Sequence, residues 1–444
     1  MDNKHGRNVS RSSRPRSSTK GPLDQPDDPL NVESLGKIST PLSPRPFEHG
    51  TFSGESLRLL DPLVPEELSS SIEKDLSFLL RYDNYHSLSQ VDIPHALRSD
   101  FISPTSDETL DSSLGTLEKF LAEGHFLLAA YLCGQILTSS LVSPTDTQLI
   151  FSLFYTRLAC LELSGNTIIA AQESKALEDL SSTFYYVEPE PQTTDANEHQ
   201  PSYPRHIAPW PLRVLAIRLQ SIGFGDPRRG IGGLYEIGLE ARREIMRPAV
   251  DAAEREIWKQ RLSDLGIRAV NALVEMGDLT AAKRSLESMK QRGPVNEATR
   301  LRAMLLELSI GDVDAARKQC EELGDGGGAI FTPLLSMAEG RYDDAVGEWR
   351  ALMDKGRAID DAIVSQNLAV CLLYTGQLSG AREVLESLVQ TQQSFSSLVF
   401  NLATVYELCS DKAVRLKQGL VEAIAKQPIT GNANLDRLNA DFKL

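Results

Sequence analysis

The sequence VSQNLAVCLLY at residues 364–374 nearly recurs as LVFNLATVYEL at residues 398–408. In both copies Asn-Leu-Ala begins at the fourth position, so that Asn367 and Asn401 lie 34 residues apart. A period of this length is typical of helical hairpins that stack in a row. Such an array offers a long surface and needs no catalytic centre, which favours an interaction scaffold.

Glycines mark the turns of this array, because six of them each close a helical segment and are each followed five residues later by an alanine. The pairs are Gly124 and Ala129, Gly165 and Ala170, Gly277 and Ala282, Gly311 and Ala316, Gly340 and Ala345, and Gly376 and Ala381. A glycine can adopt the left-handed conformation that ends a helix, and a small alanine lets the returning helix approach closely. Asp278 and Asp312 follow two of the glycines and are predicted to cap the returning helix.

These observations predict an all-α fold, a tetratricopeptide-like α-solenoid of stacked helical hairpins behind a disordered N-terminal tail. The expected boundaries are a tail at residues 1–56, a helical lead-in or cap with an irregular connector at 57–110, the solenoid at 111–430 and a C-terminal tail at 431–444. Within the lead-in, leucines at helical spacing predict an amphipathic helix over residues 65–82.

The period is looser in the middle of the chain. Residues 210–222 and 231–245 are predicted to form another hairpin, in which Gly230, Gly232 and Gly233 weaken the start of the second helix. The polar segment at residues 187–208 contains four prolines and is too long for a standard connection, which predicts a surface insertion. The sequence leaves open whether the solenoid is continuous across this insertion.

Composition restricts the class of protein. The chain has 444 residues, of which 41% are hydrophobic, so a wholly disordered protein is excluded. A net charge of −15 argues against nucleic acid or an anionic membrane surface as the main partner. Five widely spaced cysteines without a C-x-x-C pair fit reduced thiols in the cytosol. Because no apolar run is long enough to cross a bilayer, we expect a cytoplasmic protein that meets membranes only through partners.

The N-terminal tail admits two interpretations. Its first twenty residues carry six basic side chains against Asp2 alone. A solubilising tail is the simpler interpretation. A weak electrostatic contact with an acidic partner is the sharper one, and phosphorylation at Thr40 or Ser43, each followed by proline, would oppose it.

Motifs for catalysis are not supported by their context. Gly223-Phe224-Gly225 follows no strand pattern and lacks the final glycine of a dinucleotide loop. The glycine-rich residues 324–328 precede no phosphate-binding lysine, and the seven histidines contain no H-E-x-x-H motif. We therefore predict no catalytic residues, no cofactor and no metal site.

Asn367 and Asn401 are the candidate interaction residues. If they face the concave groove of the array, their amides can bind the backbone of an extended peptide with a donor and an acceptor together. The alternative is a ladder of asparagines that ties adjacent hairpins. A clamp for a C-terminal carboxylate is disfavoured, because Ser365, Gln366, Val399 and Phe400 flank the two asparagines where basic residues would be required.

The closing residues resemble a known family. The segments at residues 367–376, 397–408 and 417–424 are closely similar to the subunit 12 family of the transport protein particle (TRAPP) complex, and residues 129–138 and 209–215 are similar to its earlier hairpins. The resemblance spans residues 110–444. It implies a non-catalytic subunit of the TRAPP III type of tethering complex.

The resemblance further implies a role in traffic between endoplasmic reticulum and Golgi and in autophagy. The partners it implies are other TRAPP subunits and, indirectly, a Rab-type GTPase whose exchange activity resides in the small core subunits. It implies a location at the periphery of Golgi membranes. Two other classes share the periodicity: a chaperone or mitotic adaptor, and the helical-repeat subunit of a heteromeric enzyme.

Overall fold

The structure, a computed structural model, describes residues 61, 63, 74–89, 109–187, 204–247, 250–290, 297–323, 329–354, 361–391 and 395–426. Both predicted tails and the glycine-rich residues 324–328 lie outside this part of the chain. The described residues form sixteen α-helices that pair into eight hairpins. The first eight are α1 (Leu110–Ala122), α2 (Phe126–Thr138), α3 (Thr147–Leu163), α4 (Thr167–Glu173), α5 (Trp210–Phe224), α6 (Pro227–Met246), α7 (Ala252–Glu275) and α8 (Leu279–Lys290).

The remaining eight helices complete the array. They are α9 (Glu297–Ile310), α10 (Val313–Leu323), α11 (Phe331–Ala338), α12 (Tyr342–Asp354), α13 (Asp361–Tyr374), α14 (Leu378–Gln390), α15 (Ser396–Cys409) and α16 (Ala413–Ala425). Each helix packs against its neighbours in the chain, as stacked hairpins do. The predicted helical solenoid is confirmed.

The turns within the hairpins use left-handed glycines. All six glycines of the repeat have φ between 73° and 87°, and the six alanines that follow them are fully buried. At Gly376, the next amide, that of Gln377, donates back to the carbonyl of Leu372 at 2.8 Å, which closes the end of α13. The capping predicted for Asp278 and Asp312 is confirmed, since their carboxylates accept from the amides of Ala281 and Ala315 at 3.0 and 3.4 Å. These local contacts end one helix and cap the next.

The solenoid is continuous across the predicted insertion. Strand β1 (Tyr186–Val187) pairs antiparallel with β2 (Arg205–His206), so the two ends of the insertion meet. Residues 188–203 lie outside the described residues. Beyond the ribbon, Leu212, Ala216 and Leu219 of α5 are fully buried in the same core as α1–α4. The hairpins on either side of the ribbon therefore share one core.

The lead-in departs from the predicted helix. Residues 65–73 lie outside the described part, but residues 77–84 form two short 3₁₀ helices, Ser77–Leu80 and Tyr82–Asn84, separated by an extended Arg81. A continuous α-helix to Tyr82 is thus wrong. The reason is long-range packing: Leu76 and Leu79 are fully buried in the core, and the Leu76 amide donates to the carbonyl of Pro144 at 2.9 Å.

A buried ion pair anchors this lead-in. Arg157 of α3 donates through Nε and Nη2 to the two carboxylate oxygens of Glu173 on α4, both at 2.6 Å. Its Nη2 and Nη1 also donate to the carbonyls of His86 and Ala130, and Glu173 accepts from the amide of His86 at 2.8 Å. Since both charged side chains are at most 2% exposed, their mutual contacts replace the lost hydration.

A second long-range contact holds α5. The carboxylate of Asp61 accepts from the amide of Trp210 at 2.9 Å, 149 residues away in the chain, and from the guanidinium of Arg261. It thereby caps the N-terminus of α5, for which Pro209 provides no side-chain cap. The Arg261 guanidinium lies 4.9 and 4.5 Å from the ring centroids of Trp210 and Trp258. This cluster fixes α5 against α7.

Helix α6 begins earlier than the glycines suggest. It starts at Pro227, and the side chain of Asp226 accepts from the amide of Arg228 at 3.1 Å. Gly230 serves close packing, because a Cβ atom at this position would lie 2.7 Å from the Cβ of Ser221 on α5. Sequence reasoning treated the glycines as weak helix formers and missed this role.

Candidate protein-interaction groove

The predicted candidates Asn367 and Asn401 lie on α13 and α15 with half-buried side chains. The Asn367 amide donates to the carbonyl of Ile363, one turn earlier in the same helix, at 2.9 Å. Between the two helices, the Ser397 hydroxyl and Gln366 Oε1 are 3.3 Å apart. The interaction role of the two asparagines stays a prediction.

A groove lies elsewhere, across the first helices of the three central hairpins. It has a volume of about 650 Å³ and runs over α5, α7 and α9, with its edge at the turn between α5 and α6. Its apolar lining includes Val214, Ile217, Ile222, Leu305 and Leu306. Clefts of this size and mixed chemistry are usual binding sites on proteins.

The register of the array explains which side chains enter this groove. Arg268 lies nine residues before Gly277 and Arg302 nine residues before Gly311, the offset that separates Asn367 from Gly376. Both arginines line the groove. In the sequence, a repeated Asn-Leu-Ala begins at this position only in the last two hairpins. Applying the same offset to the central hairpins would have found the two arginines.

Electrostatics in the groove centre on one carboxylate that two arginines share. Asp264 accepts from Nε of Arg268 at 2.6 Å and from Nη1 of Arg302 at 3.2 Å. A third arginine, Arg218 of α5, lies 3.2 Å from Glu162 of α3. All three arginine side chains are about half exposed, at 49%, 59% and 51%. These three arginines share the lining with two carboxylates, Asp264 and Glu275, so its formal charge is +1 (3 − 2) on a chain whose net charge is −15.

The charge of Arg268 also reaches α3. Burial raises the pKa of Tyr155 on α3, and the positive charge of Arg268 opposes that rise. In the same groove the Asn271 amide donates to Glu275 at 2.8 Å, so this carboxylate is already engaged. The polar lining of the groove thus contains paired side chains at Asp264 and at Glu275.

No cysteine or histidine is among the described residues that line the groove. The five cysteines are free thiols, and Cys133, Cys160 and Cys371 are buried. Burial raises the pKa of Cys160 to about 12 and that of Cys371 to about 11, so both thiols are protonated at neutral pH. Burial also lowers the pKa of His206 to about 3, which keeps its ring neutral. Among the described residues, no group of three or more His, Cys, Asp or Glu side chains could hold a metal ion.

None of the described helices is both long and apolar enough to span a bilayer.

Comparisons with known proteins identify proteins that are similar to this chain. No family model matches it. It is 25% identical over 357 residues to trafficking protein particle complex subunit 12 of Homo sapiens, covering 72% of this chain and 47% of the human protein. The resemblance to the TRAPP subunit 12 family is confirmed. The mouse protein of the same name is 24% identical over 356 residues, covering 72% of this chain and 44% of the relative.

The chain thus spans less than half the length of the TRAPP relatives it matches. Among solved structures, the crystal structure of the P58(IPK) TPR domain is 12% identical and covers 71% of this chain and 96% of its own, with a TM-score of 0.20. At a TM-score that low, the superposition says nothing about this chain beyond what its own helices show. The fold assignment therefore rests on the observed hairpins.

Proposed function

We propose that this chain is a non-catalytic scaffold subunit of a TRAPP-type tethering complex and that it binds other subunits through the faces of its helical array. The observation that carries the proposal is the similarity to two proteins named as subunit 12 of that complex. The continuous array and its open central groove support a role in protein–protein contacts.

The finer role belongs to the same proposal. The assembled complex would act as a tether and as an exchange factor for a Rab-type GTPase, in endoplasmic reticulum-to-Golgi traffic and in autophagy. This chain would position other subunits and contact the GTPase only indirectly. It would be cytoplasmic and would reach Golgi membranes through its partners. A scaffold role is supported by the repeating Gly and Ala positions, which all serve turns and packing.

Affinity purification of the tagged full-length chain, followed by quantitative mass spectrometry, tests the assembly. We expect TRAPP subunits to be enriched over a purification from untagged cells. Recovery of a chaperone or mitotic assembly without any TRAPP subunit would overturn the proposal.

A nucleotide-exchange assay tests the scaffold role separately. The isolated chain should leave the rate of nucleotide release from Rab-type GTPases unchanged. Acceleration of release by the chain alone would contradict a non-catalytic role, whichever proteins it purifies with.

A further inference from the structure

The geometry points to the central groove as a docking site for an acidic protein segment that carries a bulky apolar side chain. This inference deepens the proposed function, because it names the chemistry of a partner for the array. It concerns α5, α7 and α9 and does not involve the asparagines of α13 and α15.

Charge complementarity is the first argument. Three half-exposed arginines, Arg218, Arg268 and Arg302, line the groove together with two carboxylates, a formal charge of +1 (3 − 2) on a chain whose net charge is −15. Positive side chains gathered within an acidic protein favour approach of an acidic ligand to that place over the rest of the surface.

Hydrogen-bonding capacity is the second argument. A guanidinium has five N–H donors in a planar fork. In the groove Arg268 and Arg302 each give one hydrogen bond to Asp264, whose two oxygens hold the two guanidiniums side by side. Asp264 therefore positions both forks while each retains donors for a second carboxylate. A glutamate or aspartate of a partner can accept from both arginines at once.

The apolar lining is the third argument. Leu305 of α9 is 47% exposed and Ile222 of α5 is 37% exposed, and both line the groove beside Ile217. Exposed aliphatic side chains beside paired charges fit a segment that brings an apolar side chain together with its carboxylates. Amphipathic segments bind grooves on helical surfaces in this way.

The same lining favours a protein segment over other anions. Phosphates of nucleic acid are recognised through an excess of positive charge along an extended surface. Here Asp264 and Glu275 lie among the three arginines, and aliphatic side chains occupy much of the lining. A membrane surface is flat, whereas this lining faces into a groove between three helices. We therefore assign the groove to an acidic–apolar protein segment.

Selection from a random phage-displayed peptide library on the full-length chain tests the inference and requires no identified partner. Selection is run in parallel on wild type and on R268E/R302E, with peptides of about 12 residues. We expect wild type to enrich peptides that combine Asp or Glu with Leu, Ile or Phe. The variant should not enrich them, because reversal of both charges repels the peptide carboxylates.

Fluorescence anisotropy with one selected peptide then measures the effect. R268E/R302E should weaken binding at least about tenfold, and L305S, which leaves the arginines intact, should weaken it by a factor of about three to ten. R341E/R350E reverses two exposed charges outside the groove and should bind like wild type. Circular dichroism of each variant confirms that it folds.

Several outcomes overturn the inference. The first three are enrichment of basic peptides, equal enrichment on wild type and R268E/R302E, and no enrichment at all. The fourth is that wild type binds anionic vesicles and that the arginine changes abolish this binding without any other effect. The proposed function is tested separately. Recovery of TRAPP subunits without acidic-peptide binding would contradict only the proposed docking site in the groove. Acidic-peptide binding without recovery of TRAPP subunits would contradict only the proposed membership of the complex.

Discussion

Helices α3–α6 and helices α13–α16 each form two successive hairpins, yet different interactions close their cores. In the earlier pair, buried charges and segments from outside the repeat complete the packing, as Arg157 and Glu173 do with His86. In the later pair the core is a cluster of aliphatic and aromatic side chains such as Leu368, Leu385 and Tyr406, and the buried ammonium of Lys417 pairs with the exposed carboxylate of Glu407. Both pairs thus bury a charged side chain in an apolar core, but only in the earlier pair is the counter-ion buried as well.

Removal of one charge from the buried pair should produce the largest effect. We expect Glu173→Gln to lower the free energy of unfolding by about 3–5 kcal/mol, because Arg157 is left buried without its counter-ion. Urea unfolding followed by circular dichroism measures the change. Asp344→Asn is the control, since Asp344 forms an exposed pair with Arg341 and should change stability by about 0.5 kcal/mol at most. Equal effects in the two variants would mean that the buried charges do not hold the earlier hairpins together.

Enlargement of the repeated alanine should affect both regions alike. Ala170 and Ala381 are fully buried at the same offset from their glycines. Ala170→Leu and Ala381→Leu should each cost about 1–3 kcal/mol, because the added side chain separates the paired helices. The same unfolding experiment checks both variants, and Ala423→Leu at an exposed site serves as the control. A large cost at Ala381 with little cost at Ala170 would show that the buried ion pair has replaced the alanine as the packing element.

Acid should weaken the earlier region selectively. The unfolded-state pKa of histidine is about 6.5, and burial lowers that of His206 to about 3. Between these two values the unfolded chain binds the extra proton, so stability falls as the pH drops below about 6.5. We expect His206 to contribute a loss of about 2 kcal/mol between pH 7 and pH 5. Helices α13–α16 contain no histidine, so histidine protonation contributes no loss of stability there.

Unfolding curves of wild type and His206→Gln at the two pH values measure this term. The variant should be less stable at pH 7, because the Nε2 contact with the Leu180 carbonyl at 2.9 Å is altered, but its stability should depend less on pH. Identical pH dependence in the two proteins would contradict the assignment of a neutral buried ring.

The smallest effect on stability is expected at Asn367, nine residues before the turn glycine Gly376. Because the Asn367 amide donates within its own helix, Asn367→Ala should change the free energy of unfolding by no more than about 0.5 kcal/mol. A loss above about 1.5 kcal/mol, measured by urea unfolding, would instead favour a ladder of asparagines between hairpins.

The sequence predicts what depends on local offsets. Gly376 and Ala381 can be assigned from their spacing alone, because a left-handed turn and a close helix contact are both made within one hairpin. The groove arginines were within reach of the same reasoning, since Arg268 and Asn367 share an offset from their glycines. The repeated Asn-Leu-Ala sequence marks the last two hairpins, whereas the groove lies across the three central ones, and the interaction role of the two asparagines stays a prediction.

Long-range contacts were beyond sequence reasoning. Asp61 caps a helix that begins 149 residues later, and no periodicity connects the two positions. The lead-in was predicted as an α-helix because its leucines have helical spacing. Their burial against α2 and the Pro144 carbonyl instead produced two 3₁₀ turns. In both cases the partner surface, which exists only in the folded chain, decided the local conformation.

Quantitative co-purification of TRAPP subunits with three forms of the full-length chain compares the two candidate binding surfaces in one experiment. The forms are wild type, R268E/R302E in the central groove and N367A/N401A in the last two hairpins. We predict that R268E/R302E loses at least one TRAPP subunit that wild type and N367A/N401A both recover. Full recovery by R268E/R302E with loss by N367A/N401A would contradict docking in the central groove and place the binding surface on α13 and α15.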